Sequence, residues 1–138
     1  MGTLFRYLTS VLFLAVVVQV GFAGYGAFNA IDKADSGKTI SKHTIENGYD
    51  PHGLVGTIVL VVMLLLLIVA AAGRLGGAWV KFAGALFVLG LLQILFAYLG
   101  TVSAPLGFLH GINALAIYAV AGLLAHRAWV RGVGRAPA

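Results

Sequence analysis

The sequence predicts an all-α integral membrane protein, folded as an antiparallel bundle of four transmembrane helices. Of its 138 residues, 61% are hydrophobic and only 9% are charged, which lies far outside the composition of soluble domains. The chain also contains four long apolar runs, each sufficient to cross the hydrocarbon with about 20 helical residues. Short connections between the later runs favour antiparallel neighbours. There is no cysteine, which excludes disulfides and thiolate metal sites.

The four apolar runs define one domain with spans at about residues 4–28, 51–73, 79–100 and 105–128. A cleaved signal peptide is the alternative for the first run, because it follows a basic residue, Arg6. The run is long for a signal peptide, and no A-x-A cleavage motif precedes Ile31. We therefore expect the first run to remain as a transmembrane helix.

Residues 31–50 form a strongly polar segment that holds all four acidic residues of the chain. This composition predicts an extracytoplasmic loop with turns at Ser36-Gly37 and Asn47-Gly48. Asp50-Pro51 then has the pattern of an N-cap followed by proline at the first helical position. The second span is expected to begin there.

The distribution of basic residues predicts the orientation. Six of the nine lysines and arginines fall on one side of the predicted bundle, namely Arg6, Arg74, Lys81, Arg127, Arg131 and Arg135. The positive-inside rule then places both termini, including the tail at residues 130–138, in the cytoplasm. Basic residues at helix ends do not predict nucleic-acid binding. The lipid bilayer is the expected partner, and a larger membrane complex or a homo-oligomer is left open.

Two hairpins of the chain look like copies of one unit. The segment from Gln19 to Gly26 shares glutamine, phenylalanine, alanine and the final glycine, at equal spacing, with the segment from Gln93 to Gly100. These are the only glutamines in the sequence, and each copy is followed by a His-Gly pair, His52-Gly53 or His110-Gly111. The pattern predicts a parallel internal repeat, although chance recurrence in a composition rich in glycine and alanine is the alternative.

Polar side chains at membrane depth indicate a functional site, because their burial is costly. A rise of about 1.5 Å per residue places five of them in or next to one layer of the outer half: Gln19, His52, Gln93, His110 and Asn113. Gly56 and Ala114 each follow a histidine by four residues on the same helical face. Small residues there would leave room for a flat ligand, although close helix packing also uses them.

Imidazoles from two facing helices are suited to hold a heme iron. We therefore predict one heme b, with His52 and His110 as iron ligands and the glutamines, Asn113, Gly56 and Ala114 as further contacts. No acidic residue lies within a span, so a catalytic histidine is not expected and an enzyme is the less favoured class. A zinc site would need more ligands from the loop, such as His43 with Glu46 or Asp50.

The expected membrane depths of the two histidines do not match. Pro51 would make His52 almost the first residue of its helix, whereas His110 follows Pro105 by five residues, a mismatch of about 6 Å at helical rise. Either the second helix begins earlier than its proline indicates, or the site is skewed.

The pattern resembles a known group of proteins over most of the chain. Gln93, Gly100, Pro105, Leu109-His110 and Ala114, preceded by Asp50-x-His52-Gly53, resemble a family of small uncharacterised bacterial four-helix membrane proteins. More remotely, they resemble one half of heme A synthase, in which each half-bundle presents paired histidines to a heme. The resemblance implies that His52 and His110 match one such pair, and that the helices lie in a bacterial inner membrane. The expected role is electron transfer or heme handling; the alternatives are an accessory or assembly subunit of a larger complex and a quinone- or lipid-binding protein.

Overall fold

The computed structural model describes residues 1–133, which form four long helices without a strand. These helices are α1 (Gly2–Asp35), α2 (Lys42–Ala72), α3 (Gly77–Val102) and α4 (Ala104–Val130). Residues 134–138 lie outside the described part, and with them Arg135 and the end of the predicted cytoplasmic tail.

The helices pack as an antiparallel four-helix bundle, which confirms the predicted fold class. Each helix contacts its two neighbours around the bundle, and the closest packing is within the hairpins α1–α2 and α3–α4. The diagonal pairs, α1 with α3 and α2 with α4, make no close backbone contact within the described residues. The centre of the bundle is therefore bounded by side chains of all four helices.

The outer surface of the bundle is apolar. All four helices are long and apolar enough to cross a membrane, and many large hydrophobic side chains are exposed, among them Leu14, Val18, Ile68, Val88 and Leu91. The buried core is also apolar and includes Leu12, Met63, Leu66, Leu86 and Leu124. Helices with apolar residues on all faces belong in lipid, where the backbone groups are satisfied within each helix.

The start of α2 differs from the sequence prediction. Ser41 is the N-cap, since its side-chain oxygen accepts a hydrogen bond from the backbone N–H of Thr44 at 3.2 Å. The predicted N-cap at Asp50 is therefore wrong, and Pro51 lies inside the helix. The predicted turn at Asn47-Gly48 is also helical, whereas the turn at Ser36-Gly37 is present. Serine is a favoured N-cap residue, but Ser41 lies among other polar residues and did not stand out as the start of a helix.

Most of the described basic residues lie at the end of the bundle where α1 begins and α4 ends, namely Arg6, Arg74, Lys81, Arg127 and Arg131. The Arg6 guanidinium carbon lies 5.0 Å from the centre of the Trp129 ring, and that of Arg127 lies 4.9 Å from the centre of the Phe82 ring. Cations placed over aromatic faces are typical of the interface between lipid and water. All four acids lie at the opposite end, between residues 31 and 50.

Candidate functional site

The same histidine hydrogen bond occurs in both hairpins. In the first hairpin, Nδ1 of His52 lies 3.1 Å from the backbone carbonyl oxygen of Gln19. In the second, Nδ1 of His110 lies 3.0 Å from the carbonyl oxygen of Gln93. The matching contacts pair each glutamine of the sequence repeat with the histidine of its own hairpin.

These carbonyls determine which ring nitrogen carries the proton. A backbone carbonyl can only accept a hydrogen bond, so Nδ1 of each histidine must be the donor. In the neutral imidazole, Nε2 then keeps its lone pair. Histidines that bind metals commonly have this arrangement, in which Nδ1–H is held by a carbonyl and Nε2 is the ligating atom.

The two imidazoles approach each other across the bundle. Their ring centres are 6.1 Å apart and their planes are inclined by 59°. The expected depth mismatch between His52 and His110 is resolved because α2 begins at Lys42, well before Pro51. His52 is therefore more than two helical turns inside its helix, and it reaches the level of His110.

The second hairpin extends its histidine pair into a network. Nδ2 of Asn113 donates to the carbonyl oxygen of Leu89 at 2.9 Å and to Oε1 of Gln93 at 2.6 Å. Nε2 of Gln93 lies 3.1 Å from Nε2 of His110. Asn113 is buried and is not among the described residues that line the central cavity. Asn113 therefore contacts Gln93 from outside the cavity.

The first hairpin is connected differently. Nε2 of Gln19 donates to the backbone carbonyl oxygen of His52 at 2.7 Å, and Oε1 of Gln19 is buried without a hydrogen-bond partner in the described structure. Val55 occupies the position, three residues after the histidine, that Asn113 has in the second hairpin. The repeat therefore preserves the bond from histidine to the carbonyl, but it does not preserve the environment of the glutamine side chain.

A cavity of about 520 Å³ lies between the four helices and includes both histidines in its wall. Gln19, Gln93, Gly56 and Ala114 also line it, and the remaining wall is apolar apart from Thr57. This volume is within the range of about 300–1,000 Å³ that is typical of ligand pockets. An apolar chamber with a few convergent polar groups is the usual form of a small-molecule or cofactor site.

The glycines beside the histidines have different surroundings. A Cβ atom built on Gly53 or Gly111 would meet nothing within 4 Å, and both residues line the cavity. A Cβ atom on Gly56 would instead lie 2.9 Å from Nε2 of Gln19. The small residue at position 56 therefore accommodates a carboxamide of the protein itself, whereas the open space lies beside Gly53 and Gly111.

Tyr49 is a neighbour of the site that the sequence analysis missed. Its ring packs edge-on against His52, with ring centres 6.2 Å apart. Tyr49 precedes His52 by three residues, a spacing that brings side chains together only in a helix. The signal was hidden because residues 31–50 were predicted to form a loop.

The zinc alternative finds little support in the described chain. Between residues 1 and 133 no group of three or more histidine, cysteine or acidic side chains is placed to hold a metal ion. His43 lies beside Asn47, with 3.4 Å between Nδ1 and Nδ2, and Glu46 pairs with Lys42 at 3.5 Å. His43 and Glu46 lie in the first turns of α2 and are therefore not folded over His52.

Known proteins add no further assignment, since no family model, no curated protein and no solved structure matches the chain.

Proposed function

We propose that the chain is a membrane protein that binds one heme b in the central cavity, where His52 and His110 would hold the iron. The observation that carries this proposal is the pair of imidazoles on facing helices, each with Nδ1–H on a carbonyl and with ring centres 6.1 Å apart. Two Fe–N bonds of about 2 Å, extended to the centres of the rings, would require about 6 Å.

The residues present fit a heme. The donor set is two neutral nitrogens, as in bis-histidine cytochromes, and the apolar wall of the cavity suits a porphyrin. Gly53 and Gly111, which follow the two histidines in the sequence, line the cavity, and a Cβ atom on either would meet nothing within 4 Å. The chain's own contribution is to hold both imidazoles in one tautomer.

When bound, a heme supplies one-electron redox chemistry, whose potential depends on its ligands and surroundings. The function is therefore electron transfer or heme handling, and we assign no enzymatic reaction.

A second function is favoured by one specific contact. Nε2 of His110 is already hydrogen bonded to the carboxamide of Gln93, as expected if the polar layer joins helices in an accessory or assembly subunit. In lipid such bonds are worth about 0.6 kcal/mol on average. The apolar cavity would also suit a quinone or a lipid tail.

Absorbance of purified protein from heme-replete cells distinguishes these functions. The heme proposal predicts a Soret band in proportion to protein, which His52→Ala and His110→Ala combined in one variant abolish. Either substitution alone should weaken the band or convert it to a high-spin form. Gln19→Leu should shift the band only slightly, because this side chain would tune a ligand without binding iron. His43→Ala, at an exposed histidine outside the cavity, is the matched control.

A colourless wild type would contradict heme binding. If the cavity variants then each lost a small, similar amount of thermal stability in detergent, the accessory-subunit function would be favoured.

The same proposal includes the orientation in a bacterial inner membrane, with both termini cytoplasmic. The support is that six of nine basic residues share one side, whereas the other side combines three lysines with four acids. A topology reporter fused to the C-terminus should report a cytoplasmic position, and one inserted at Ser36 should report an extracytoplasmic position. The reverse result would place the histidine layer near the inner leaflet.

A further inference from the structure

A continuous chain of hydrogen bonds runs through the second hairpin and ends at the ring of His110. It begins at the carbonyl oxygen of Leu89, which accepts from Asn113, and it continues through the carboxamide of Gln93 to Nε2 of His110. It closes where Nδ1 of His110 meets the carbonyl of Gln93. Both ends are backbone carbonyls, which can only accept.

Because both ends of this series of hydrogen bonds are carbonyl oxygens, the donor in each bond is determined. Because Leu89 offers an oxygen, the atom of Asn113 that faces it must be the amide nitrogen. The same NH₂ group faces Gln93, so the atom of Gln93 it meets must be Oε1. The NH₂ group of Gln93 is therefore the one that faces His110, and it donates to the lone pair of Nε2.

In the first hairpin, the glutamine side chain does not hydrogen bond to the histidine ring. The NH₂ group of Gln19 is directed to the backbone carbonyl of His52 and not to its ring. No described residue forms a hydrogen bond with Nε2 of His52, although Nδ1 is bonded. Val55 cannot supply the hydrogen bond by which Asn113 orients the glutamine of the other hairpin. The two imidazoles therefore differ in whether their ligating nitrogen is occupied.

We propose that Gln93, held by Asn113, is a cap on His110, so that His52 is the primary ligand for heme iron and His110 binds only when the carboxamide turns away. This inference rests on the proposed heme function. It assigns the two histidines unequal roles, and it makes Gln93 and Asn113 positioning residues for the exchangeable side of the site. A ligand such as carbon monoxide would bind on that side.

The first experiment uses full-length protein loaded with hemin in detergent. Wild type should contain a high-spin form with one histidine ligand and should bind carbon monoxide when reduced. Gln93→Leu should raise the ratio of the low-spin, two-histidine form to the high-spin form by about 3- to 20-fold, the range expected for loss of one interhelical hydrogen bond. Asn113→Leu should act in the same direction, and it replaces Gln93→Leu if that variant does not fold.

Gln19→Leu is the matched control, since it removes the equivalent glutamine of the other hairpin without uncovering a ring nitrogen. It should change the spin-state ratio much less than Gln93→Leu or Asn113→Leu does, and His43→Ala, outside the cavity, should leave the ratio unchanged. A fully low-spin wild type that neither Gln93→Leu nor Asn113→Leu alters would overturn the cap while leaving heme binding intact.

The second experiment needs no heme, so it separates failure of the cap from failure of the function. In protein without heme, labelled with ¹⁵N at histidine, the Nε2 resonance of His110 should show a hydrogen-bonded lone pair, and that of His52 should not. Gln93→Leu should remove the difference. Unequal nitrogens in a protein that takes up no hemin would support the cap and reject the heme function. Equal nitrogens in wild type would overturn the cap.

Discussion

The substitution Gly56→Ala tests how tightly the first hairpin is fitted around Gln19. A Cβ atom at position 56 would lie 2.9 Å from Nε2 of Gln19, closer than side-chain atoms ordinarily approach. That nitrogen donates to the carbonyl of His52 at 2.7 Å. The carboxamide must therefore withdraw, and we expect the hydrogen bond to be lost or lengthened.

Gly53→Ala is the internal control for this change. Both glycines are in α2, and replacing glycine by alanine inside a helix favours folding by up to about 1 kcal/mol at either position. The new methyl group at position 53 meets nothing within 4 Å. The difference between the variants isolates the clash, and loss of an interhelical hydrogen bond predicts that Gly56→Ala is less stable by about 0.6–1.7 kcal/mol.

The assay is equilibrium unfolding in mixed micelles of mild detergent and dodecyl sulfate, followed by circular dichroism. Repeating both substitutions in a Gln19→Ala background completes the test, because the carboxamide that Gly56→Ala displaces is then absent. The two variants should become equally stable in that background. Equal stability already in the presence of Gln19 would refute the proposed fit.

Two further predictions use the same unfolding assay. Gly26→Ala should destabilise the fold by about 1–3 kcal/mol, the usual cost of overpacking, because its Cβ would lie 2.9 Å from ring atoms of Tyr49, whereas Gly24→Ala meets nothing within 4 Å and should not. Val55→Asn should stabilise by about 0.6 kcal/mol, because it offers an N–H to the unpaired Oε1 of Gln19; a gain that persists in Gln19→Ala would contradict this explanation.

The membrane fold could be predicted from composition and the lengths of apolar runs, because the bilayer permits few alternatives. Lipid offers no partners to backbone groups, so long apolar segments must be helical, and short connections make neighbouring helices antiparallel. The start of α2 was not predictable in this way. The first residues of α2, after Ser41, are polar and precede its apolar run. Pro51 also resembles a helix start, although it lies inside the helix.

The polar layer could also be identified from sequence, because histidine, glutamine and asparagine stand out in apolar helices at matching helical positions. Their spacing predicted that Gln19, His52, Gln93 and His110 would lie in or next to one layer, and the structure brings them together around one cavity. The role of Gly56 was not predictable, since a small residue can equally admit a ligand or a neighbouring side chain. Only the position of Gln19 distinguishes these two cases.

What the sequence by itself determined is therefore the helices and the residue types of the central layer. The tertiary structure alone decided how those residues are connected. The two Gln–His pairs are alike in sequence, yet the carboxamide of Gln93 turns to the ring of His110 while that of Gln19 turns to a backbone carbonyl. The physical reason is that a carboxamide can rotate, so that its NH₂ group can donate to different acceptors. Its orientation is set by the neighbouring helix residue, which is Asn113 in one hairpin and Val55 in the other.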